Sequence, residues 1–296
     1  MRLMGRQSSR ECLSELRVYP KFGSASKAEL WLKGRSIAEV GTRSATYLGA
    51  GAQFESLREY SIDDEYRRID WPASVRTGKT IVRTYRAEVD QRVICVLDAG
   101  RTMAADVLGA PRFEHCIDAL LMLAAVTSRL GDRCGLVSFD QEIRAVIPPV
   151  RLAGQLNRLS EAIYRTNPSL VESDYRKAFS YVMSNFSRRA MLVIFSELSE
   201  SAVEESLLPA IAMVAKHHVV VVASVTDPVV SLWETAKPAS TEATYRKAAA
   251  HWSLEKRRRT AASLRALGVT VIDALPDELP TLLAETYVRA KAVGRI

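Results

Sequence analysis

Short apolar runs alternate with stretches of helical period over the C-terminal two thirds of the chain. Val93–Leu97 and Met191–Phe195 are continuous apolar runs followed by polar residues, and Val219–Val225 is apolar except for Ser224, which is typical of buried parallel strands. Phe113–Leu130 instead spaces its apolar residues three and four apart and stops at Gly131, which predicts a helix. Strands that alternate with helices predict an α/β fold, in which a mostly parallel sheet carries helices on both faces.

The same criteria predict the remaining elements. The strands are Gly135–Phe139, Arg144–Ile147 and Val269–Ile272, and the helices are Leu152–Ile163, Tyr175–Asn185, Val203–Lys216, Ser240–Leu267 and Asp277–Lys291. The first 53 residues have weaker patterns, with a strand that ends at Arg17–Pro20 and a loop at Gly41–Gly51. We therefore predict a small N-terminal β/loop extension at 1–91 and an α/β domain at 92–296.

The composition is that of an ordinary globular protein, with 48% hydrophobic and 25% charged residues. No apolar run is long enough to span a membrane, since Leu207–Val225 is interrupted at Lys216. The first residues lack the apolar core of a signal peptide. Cys95 and Cys134 lie inside apolar runs, and the four cysteines lack metal-ligand spacing, which favours free thiols in a reducing compartment. These features predict a cytoplasmic protein.

Residues 54–76 combine aromatic side chains with charges of nearly balanced sign. We expect this segment to form a docking or scaffold platform made of Arg58, Glu59, Tyr60, Asp64, Arg67, Arg68, Asp70, Trp71 and Arg76. A nucleic-acid site would not carry so many carboxylates, so we expect the four arginines to pair mainly with neighbouring acids. The alternating segment Thr80–Arg86 is expected to pair with part of this platform as a strand.

Polar residues follow the predicted strands at the edge where α/β proteins bind ligands. Asp98 ends the first strand and Ser196-Glu197 ends the strand at Met191–Phe195, while Ser173-Asp174 opens a helix. Hydroxyl and carboxylate oxygens suit a hard cation such as Mg²⁺. The alternative is that Asp98 and Ser173 cap helix starts and need no metal.

Other patterns give weaker support to an enzyme. Ala73–Thr80 fits a relaxed P-loop, but its leading glycine is missing and a β-like segment follows it, so we interpret Lys79 as an exposed hairpin tip. The four histidines and the absence of a Gly-x-Ser-x-Gly elbow give little support to nucleophilic catalysis. Lys256–Arg259 lies in a predicted helix, and we interpret it as a solvated face and not as a nucleic-acid site.

Several motifs resemble the bacterial domain-of-unknown-function 58 family. Phe54–Tyr60, Arg67–Trp71 and Ala73–Arg76 match the family signature, although Ile62-Asp63 replaces its usual Pro-Gly. Two further matches are Gly131-Asp132 with Gly135-Leu-x-x-Phe139, and the ending from Tyr287 to Lys291. The resemblance implies a von Willebrand factor A (vWA)-like domain after the signature. Family members often carry two N-terminal transmembrane helices, so we expect this chain to be a short or truncated member.

The resemblance also implies a metal-ion-dependent adhesion site. The residues of this chain that match it are Asp98, Thr102, Ser173 and Glu197. Gly100 replaces a serine ligand and Glu197 replaces an aspartate, so the motif is degenerate and a bound Mg²⁺ is one of two alternatives.

The family further implies a partner. Its members are typically encoded beside MoxR-type AAA+ ATPases and are thought to act as adaptors or chaperone-like partners for them. We therefore expect a non-enzymatic interaction module that binds a MoxR-type ATPase or its client, in the cytoplasm or within a complex peripheral to the inner membrane. The alternative is a hydrolase, either nucleotide-dependent through Lys79 or metal-dependent at Asp98.

Overall fold

The computed structural model describes Gly23, Ala28, Trp31, Leu32 and residues 52–61, 64, 66, 69–87, 90–150, 154–199, 203–294 and 296. The strands are β1 (Ala52–Glu59), β2 (Ile81–Ala87), β3 (Arg92–Asp98), β4 (Asp106–Val107), β5 (Ala110–Pro111), β6 (Arg133–Phe139), β7 (Ile143–Ile147), β8 (Met191–Phe195), β9 (Val219–Val225) and β10 (Thr270–Ala274). The helices are α1 (Trp71–Thr77), α2 (Arg112–Arg129), α3 (Gln155–Tyr164), α4 (Tyr175–Asn185), α5 (Leu208–Ala215), α6 (Pro228–Thr235), α7 (Thr241–Ala266) and α8 (Leu279–Ala292). A 3₁₀ turn spans Arg101–Ala104, and a π turn at Val203–Leu207 precedes α5.

A six-stranded sheet in the order β10-β9-β8-β3-β6-β7 forms the centre of the α/β region. Every pairing in it is parallel except that of β6 with β7, which is antiparallel. The carboxyl ends of β3, β6, β8, β9 and β10 therefore meet at one side of the sheet, which we call the carboxyl edge. This arrangement confirms the predicted mostly parallel α/β fold.

Both faces of the sheet are covered, because successive side chains of a strand point to opposite sides. Val93, Cys95 and Leu97 of β3 belong to the apolar cluster that includes α2 and α8. Ile94 and Val96 belong to the opposite cluster, which includes α4, α5 and the end of α7. This burial on both sides explains why the strands have continuous apolar sequences.

The described residues near the N-terminus, Gly23, Ala28, Trp31 and Leu32, are helical, and they lie between the strand and the loop that the sequence predicts. Ala28 and Leu32 are buried in the cluster with α2, and Trp31 packs against it. Their spacing of three and four residues is that of one helix face. The predicted strand at Arg17–Pro20 and loop at Gly41–Gly51 lie outside the described residues, and the division at residue 91 stays a prediction.

The predicted pairing of Thr80–Arg86 with the signature segment is confirmed. β2 runs antiparallel to β1, with Glu59 opposite Ile81. The two strands are not joined by a tight hairpin, because α1 lies between them. The predicted helix at Val203–Lys216 begins as a π turn and becomes α-helical at Leu208.

Three cysteines are buried and free within the described part of the chain, namely Cys95, Cys116 and Cys134. The Sγ atoms of Cys95 and Cys134 lie 3.9 Å apart on neighbouring strands. Burial raises the pKa of the Cys116 thiol, which keeps it uncharged.

None of the helices among the described residues combines the length and the apolar character that crossing a membrane requires.

Candidate functional site at the carboxyl edge

Asp98, the last residue of β3, is fully buried at the centre of the carboxyl edge. Ser173 Oγ donates to Asp98 Oδ1 at 2.5 Å, and Tyr175 OH donates to Asp98 Oδ2 at 2.5 Å. The Gly100 N–H also donates to Oδ1, at 2.8 Å. Burial raises the pKa of the Asp98 carboxyl above its ordinary value, and these hydrogen bonds offset part of the rise.

Gly100 leaves room for Ser173. A Cβ atom at residue 100 would lie 2.0 Å from Ser173 Oγ and 2.9 Å from the Val171 carbonyl oxygen. The Ser173 hydroxyl thus lies where the first serine of the adhesion motif would begin its side chain. The helix α4 is capped by Asp174, whose side chain accepts from Lys177 N–H, and not by Ser173 as the alternative from sequence proposed.

Residues 169–174 form a loop over the end of β3, which we call the edge loop. The Ser169 N–H donates to the Ala99 carbonyl at 2.7 Å, and the Arg101 N–H donates to the Val171 carbonyl at 2.9 Å. The loop therefore pairs with the segment that follows Asp98 through its backbone as well as through Ser173. Leu170, within this framework, is 84% exposed.

Asp140 follows β6 and anchors the other end of the edge loop. Ser169 Oγ donates to Asp140 Oδ2 at 2.7 Å, and Arg144 Nε donates to the same oxygen at 2.7 Å. Burial acts to raise the pKa of the Asp140 carboxyl, but hydrogen bonds from Arg144, the Glu142 backbone and Ser169 outweigh it, so the pKa is lowered. Asp140 is therefore a charged, internally paired residue.

Glu197 follows β8 but does not join Asp98. It is buried between two guanidinium groups, with Arg257 Nη1 donating to Oε1 and Arg112 Nε lying 2.8 Å from Oε2 in an ion pair whose angle departs from that of a hydrogen bond. Burial raises the pKa of the Glu197 carboxyl, and the charges of Arg257 and Arg112 oppose that rise. Arg112 also donates to the Thr102 carbonyl at 2.9 Å.

Arg257 connects the ends of three neighbouring strands. Besides Glu197, it donates to Ser224 Oγ of β9 at 3.0 Å and to Asp273 Oδ1 of β10 at 2.6 Å. Burial acts to lower the pKa of Arg257, and the neighbouring acids outweigh it, so the net pKa is raised. The prediction that Lys256–Arg259 is a solvated face is therefore wrong for Arg257, because α7 turns this one residue towards the sheet.

The described side chains do not fit the Mg²⁺ site that the resemblance implies. Both oxygens of Asp98 accept hydroxyl hydrogen bonds, and Glu197 faces two guanidinium groups whose charge would repel a cation. The described contact of Thr102 is made through its carbonyl, to Arg112. Among the residues that the structure describes, no group of three or more His, Cys, Asp or Glu could hold a metal ion.

The platform predicted at 54–76 contains ion pairs at its surface. Arg58 forms a bidentate ion pair with Asp64, in which Nη1 donates to Oδ2 at 2.7 Å and Nη2 donates to Oδ1 at 2.5 Å. Asp64 also accepts from the Ser61 N–H at 2.8 Å. Lys79 pairs with Glu59. About half of the Arg58 side chain is exposed, so its pair stabilises the fold only weakly.

Asp70 and Ser74, near the end of the signature, form hydrogen bonds that fix the start of α1 and its contact with β2. Asp70 caps α1 by accepting from the Ala73 N–H at 3.1 Å, and Ser74 Oγ donates to the Asp70 carbonyl at 2.7 Å. The Ile81 N–H in turn donates to Ser74 Oγ at 2.8 Å, which joins α1 to β2. The polar groups in this part of the signature therefore satisfy one another within the fold.

The remaining platform residues are placed as follows. Arg67 and Arg68 lie outside the described residues, as does the Ile62-Asp63 departure. Arg76 is exposed, and its described contact is from Nε to the Pro72 carbonyl at 3.2 Å, so the expected carboxylate partner is replaced there by a backbone oxygen. Tyr60 and Trp71 are 37% and 54% exposed.

Lys79 is exposed, as expected, but the elements around it are in the opposite order to a P-loop. A P-loop follows a strand and precedes a helix, whereas here α1 precedes Gly78 and β2 follows Lys79. Gly78 ends α1 in the left-handed conformation, with φ of 67°, which is a helix C-cap.

Several residues of the site were not identified from the sequence. Asp140 has the same signal as Asp98, namely an acid at the end of a buried strand, but it lies outside the set that matches the adhesion site. Tyr175 was only the first residue of a predicted helix. Arg112, Arg257 and Asp273 carry no local signal, because the partners of each come from distant parts of the chain.

The chain belongs to a family that is described as "Protein of unknown function DUF58", whose model matches residues 56–232. The match includes Asp98, Ser173 and Glu197 and most of the signature. No curated protein sequence matches the chain.

Solved structures with similar folds have low sequence identity to this chain. The conserved hypothetical protein BatB from Bacteroides thetaiotaomicron is 17% identical, with a TM-score of 0.46, over 68% of this chain and 99% of its own. The VWA domain of SpRpn10 is 14% identical, with a TM-score of 0.40, over 67% of this chain and 95% of its own. Proximal thread matrix protein 1 from the mussel byssus, in a form with a zinc-occupied MIDAS motif, is 13% identical, with a TM-score of 0.41, over 70% of this chain and 48% of its own.

Proposed function

We propose that the protein is a non-enzymatic interaction module that docks a partner protein on its carboxyl edge. The observation that carries this proposal is the edge loop, in which hydrogen bonds to Asp98, Ala99 and Arg101 hold a segment that presents Leu170 to solvent. Val171 beside it is 37% exposed. A loop that is already ordered loses little entropy when a partner covers it, so its apolar side chains can contribute fully to binding.

The proposed site is a degenerate, metal-free form of the adhesion motif. Asp98 and Ser173 hold the edge loop, while Glu197 and the Thr102 carbonyl are held by arginines. In this proposal the internal ion pairs supply the rigidity that a metal ion would otherwise supply. The partner is a MoxR-type AAA+ ATPase or its client, as the family resemblance implies.

A pull-down with a purified MoxR-type ATPase tests this proposal. Leu170→Asp places a charge in the proposed contact and is expected to abolish capture without lowering the melting temperature. Leu282→Asp on α8, also partly exposed, is the matched control and is expected to retain capture. Capture that persists in Leu170→Asp would remove the edge loop from the proposed interface.

A nucleotide hydrolysis assay on the same purified chain tests the alternative. We expect no hydrolysis above background with ATP or GTP, with or without Mg²⁺. Hydrolysis that disappears in Lys79→Ala would overturn the adaptor proposal in favour of a nucleotide-dependent hydrolase. Hydrolysis that disappears in Asp98→Asn would favour a metal-dependent hydrolase.

A further inference from the structure

A groove of about 370 Å³ opens between α7 and the segment that follows β8. It lies directly beside the Glu197–Arg257 pair and is lined further by Ser199, Trp252, Ser253 and Lys256. The groove is therefore continuous with the carboxyl edge, but it is separate from Asp98 and the edge loop.

The charge around this groove favours an anion. Thr241–Ala266 contains seven Lys or Arg residues against two Glu. Glu197, the acid that lines the groove, and Asp273, which shares Arg257 with it, are already paired with buried guanidinium groups. Since these buried pairs are close to neutral, the basic residues on the outer surface of α7 determine the sign of the local field.

The side chains of the groove indicate a ligand with both polar and apolar parts. The Lys256 ammonium lies 3.9 Å from the centroid of the Trp252 ring, so it covers one face of the indole while Trp252 remains 63% exposed. A planar base would find that face occupied, whereas an aliphatic side chain can pack on the ring edge. Ser199 Oγ is buried and has no hydrogen-bond partner among the described residues, so it offers a polar contact.

We propose that this groove binds an acidic segment of the partner protein, with a carboxylate beside Lys256 and an aliphatic side chain against Trp252. The inference rests on the proposed function, because it assigns to the same partner a second contact next to the edge loop. The edge loop supplies an apolar contact, and the groove selects partners by charge. Attraction between opposite charges also accelerates encounter and depends on salt.

Fluorescence anisotropy with a labelled peptide of alternating Asp and Leu tests the groove, with the corresponding Asn and Leu peptide as the control. The Asp peptide is expected to bind the full chain at about 0.15 M ionic strength, and the Asn peptide is not. Trp252→Ala and Lys256→Glu are each expected to weaken binding by about tenfold, equivalent to about 1.4 kcal/mol.

Two substitutions on the same helix are matched controls outside the groove. Arg259→Glu makes the same charge change at a side chain that is 78% exposed, and Tyr245→Ala removes an aromatic residue that is 74% exposed. Each is expected to change peptide binding by less than about twofold, because Arg259 adds only to the general field and Tyr245 is an uncharged residue that does not line the groove.

Four results would overturn the inference. Equal weakening by Lys256→Glu and Arg259→Glu would mean that the peptide is attracted diffusely along α7 and not bound in the groove. Binding of the Asn peptide would mean that the groove does not require a carboxylate. Displacement of the Asp peptide by ATP would assign the groove to a nucleotide. If the groove variants still capture the ATPase and Leu170→Asp does not, this inference fails while the proposed function stands.

Discussion

Lys291, in the last turn of α8, pairs with Asp132, the residue before β6, and both side chains are withdrawn from solvent. Tyr287, one turn earlier, donates its hydroxyl to the same carboxylate oxygen, and the Gln91 N–H donates to the other oxygen at 3.1 Å. The segments Gly131-Asp132 and Tyr287 to Lys291, which lie far apart in the sequence, are therefore two halves of one contact. It joins the C-terminal helix to the end of the sheet opposite the carboxyl edge.

We expect Lys291→Met to destabilise the fold by about 3–5 kcal/mol, because it leaves the Asp132 carboxylate buried without its cation. Chemical denaturation measures this change in the free energy of unfolding. Lys79→Ala is the control, since its pair with Glu59 is exposed, and it is expected to have no measurable effect. The double variant Asp132→Asn/Lys291→Met should recover part of the loss, and failure to recover any would mean that the Lys291 stem matters for packing instead of charge.

Asp98→Asn is expected to raise the melting temperature at pH 7. The pKa of Asp98 is raised in the folded protein, mainly by burial, so the contribution of this carboxyl to stability is greatest at low pH and is lost as the pH rises through the folded-state pKa. Asparagine removes the buried charge while it can still accept from Ser173 and donate to the Tyr175 hydroxyl.

The stabilisation by Asp98→Asn should therefore be smaller at pH 4 than at pH 7, as thermal melts at the two values would measure. A lower melting temperature at pH 7 would mean that the ionised carboxylate stabilises the edge. Ser169→Ala is the comparison, because it removes a hydrogen bond that helps to lower the pKa of the Asp140 carboxyl. Its effect on the melting temperature should have the opposite sign at pH 7, namely a decrease.

Mg²⁺ at millimolar concentration is expected to leave the melting temperature unchanged. A ligand that binds only the folded state stabilises it by mass action. The described partners of the Asp98 carboxylate include two hydroxyl groups, and those of the Glu197 carboxylate are guanidinium groups, so neither carboxylate is left for a metal ion. Calorimetric scans with Mg²⁺ and with EDTA measure the effect. A rise with Mg²⁺ that is lost in Asp98→Asn would restore the metal site that the family resemblance implies.

Much of the fold could be predicted from the sequence, because buried parallel strands have continuous apolar runs. The same rule located Asp98 and Glu197 at strand ends and predicted correctly that they share one edge. It could not predict their separate partners. Arg257 lies 60 residues from Glu197, and which of four consecutive basic residues turns inward depends on the packing of α7 against β9 and β10.

His218 is expected to make the fold sensitive to acid. It is 4% exposed at the start of β9, and neither ring nitrogen has a hydrogen-bond partner among the described residues. Burial lowers the pKa of the His218 ring, and the charges of His217 and Arg189 lower it further. Above the unfolded-state pKa of about 6.5 the ring is neutral in both states, and the fold keeps its full stability. As the pH falls towards the folded-state pKa, the unfolded chain takes up a proton more readily than the folded protein, and stability is lost.

His218→Leu should flatten the fall in melting temperature between pH 7 and pH 5. The exposed His251→Leu serves as the control and is expected to keep the wild-type slope. If both variants keep that slope, the acid sensitivity would have to come from the carboxylates instead.

The signature segment is expected to divide into scaffold and surface residues. Asp70→Ala removes the N-cap of α1 and should destabilise the fold by about 1 kcal/mol, whereas Arg76→Ala, at an exposed residue, should leave stability unchanged. Denaturation of the two single variants measures the contrast, and the ATPase pull-down then shows whether Arg76 has another role. Lost capture with unchanged stability would make Arg76 part of an interface, because a side chain that does not support the fold can affect binding only through the partner. Capture retained by Arg76→Ala would leave the edge loop as the proposed contact.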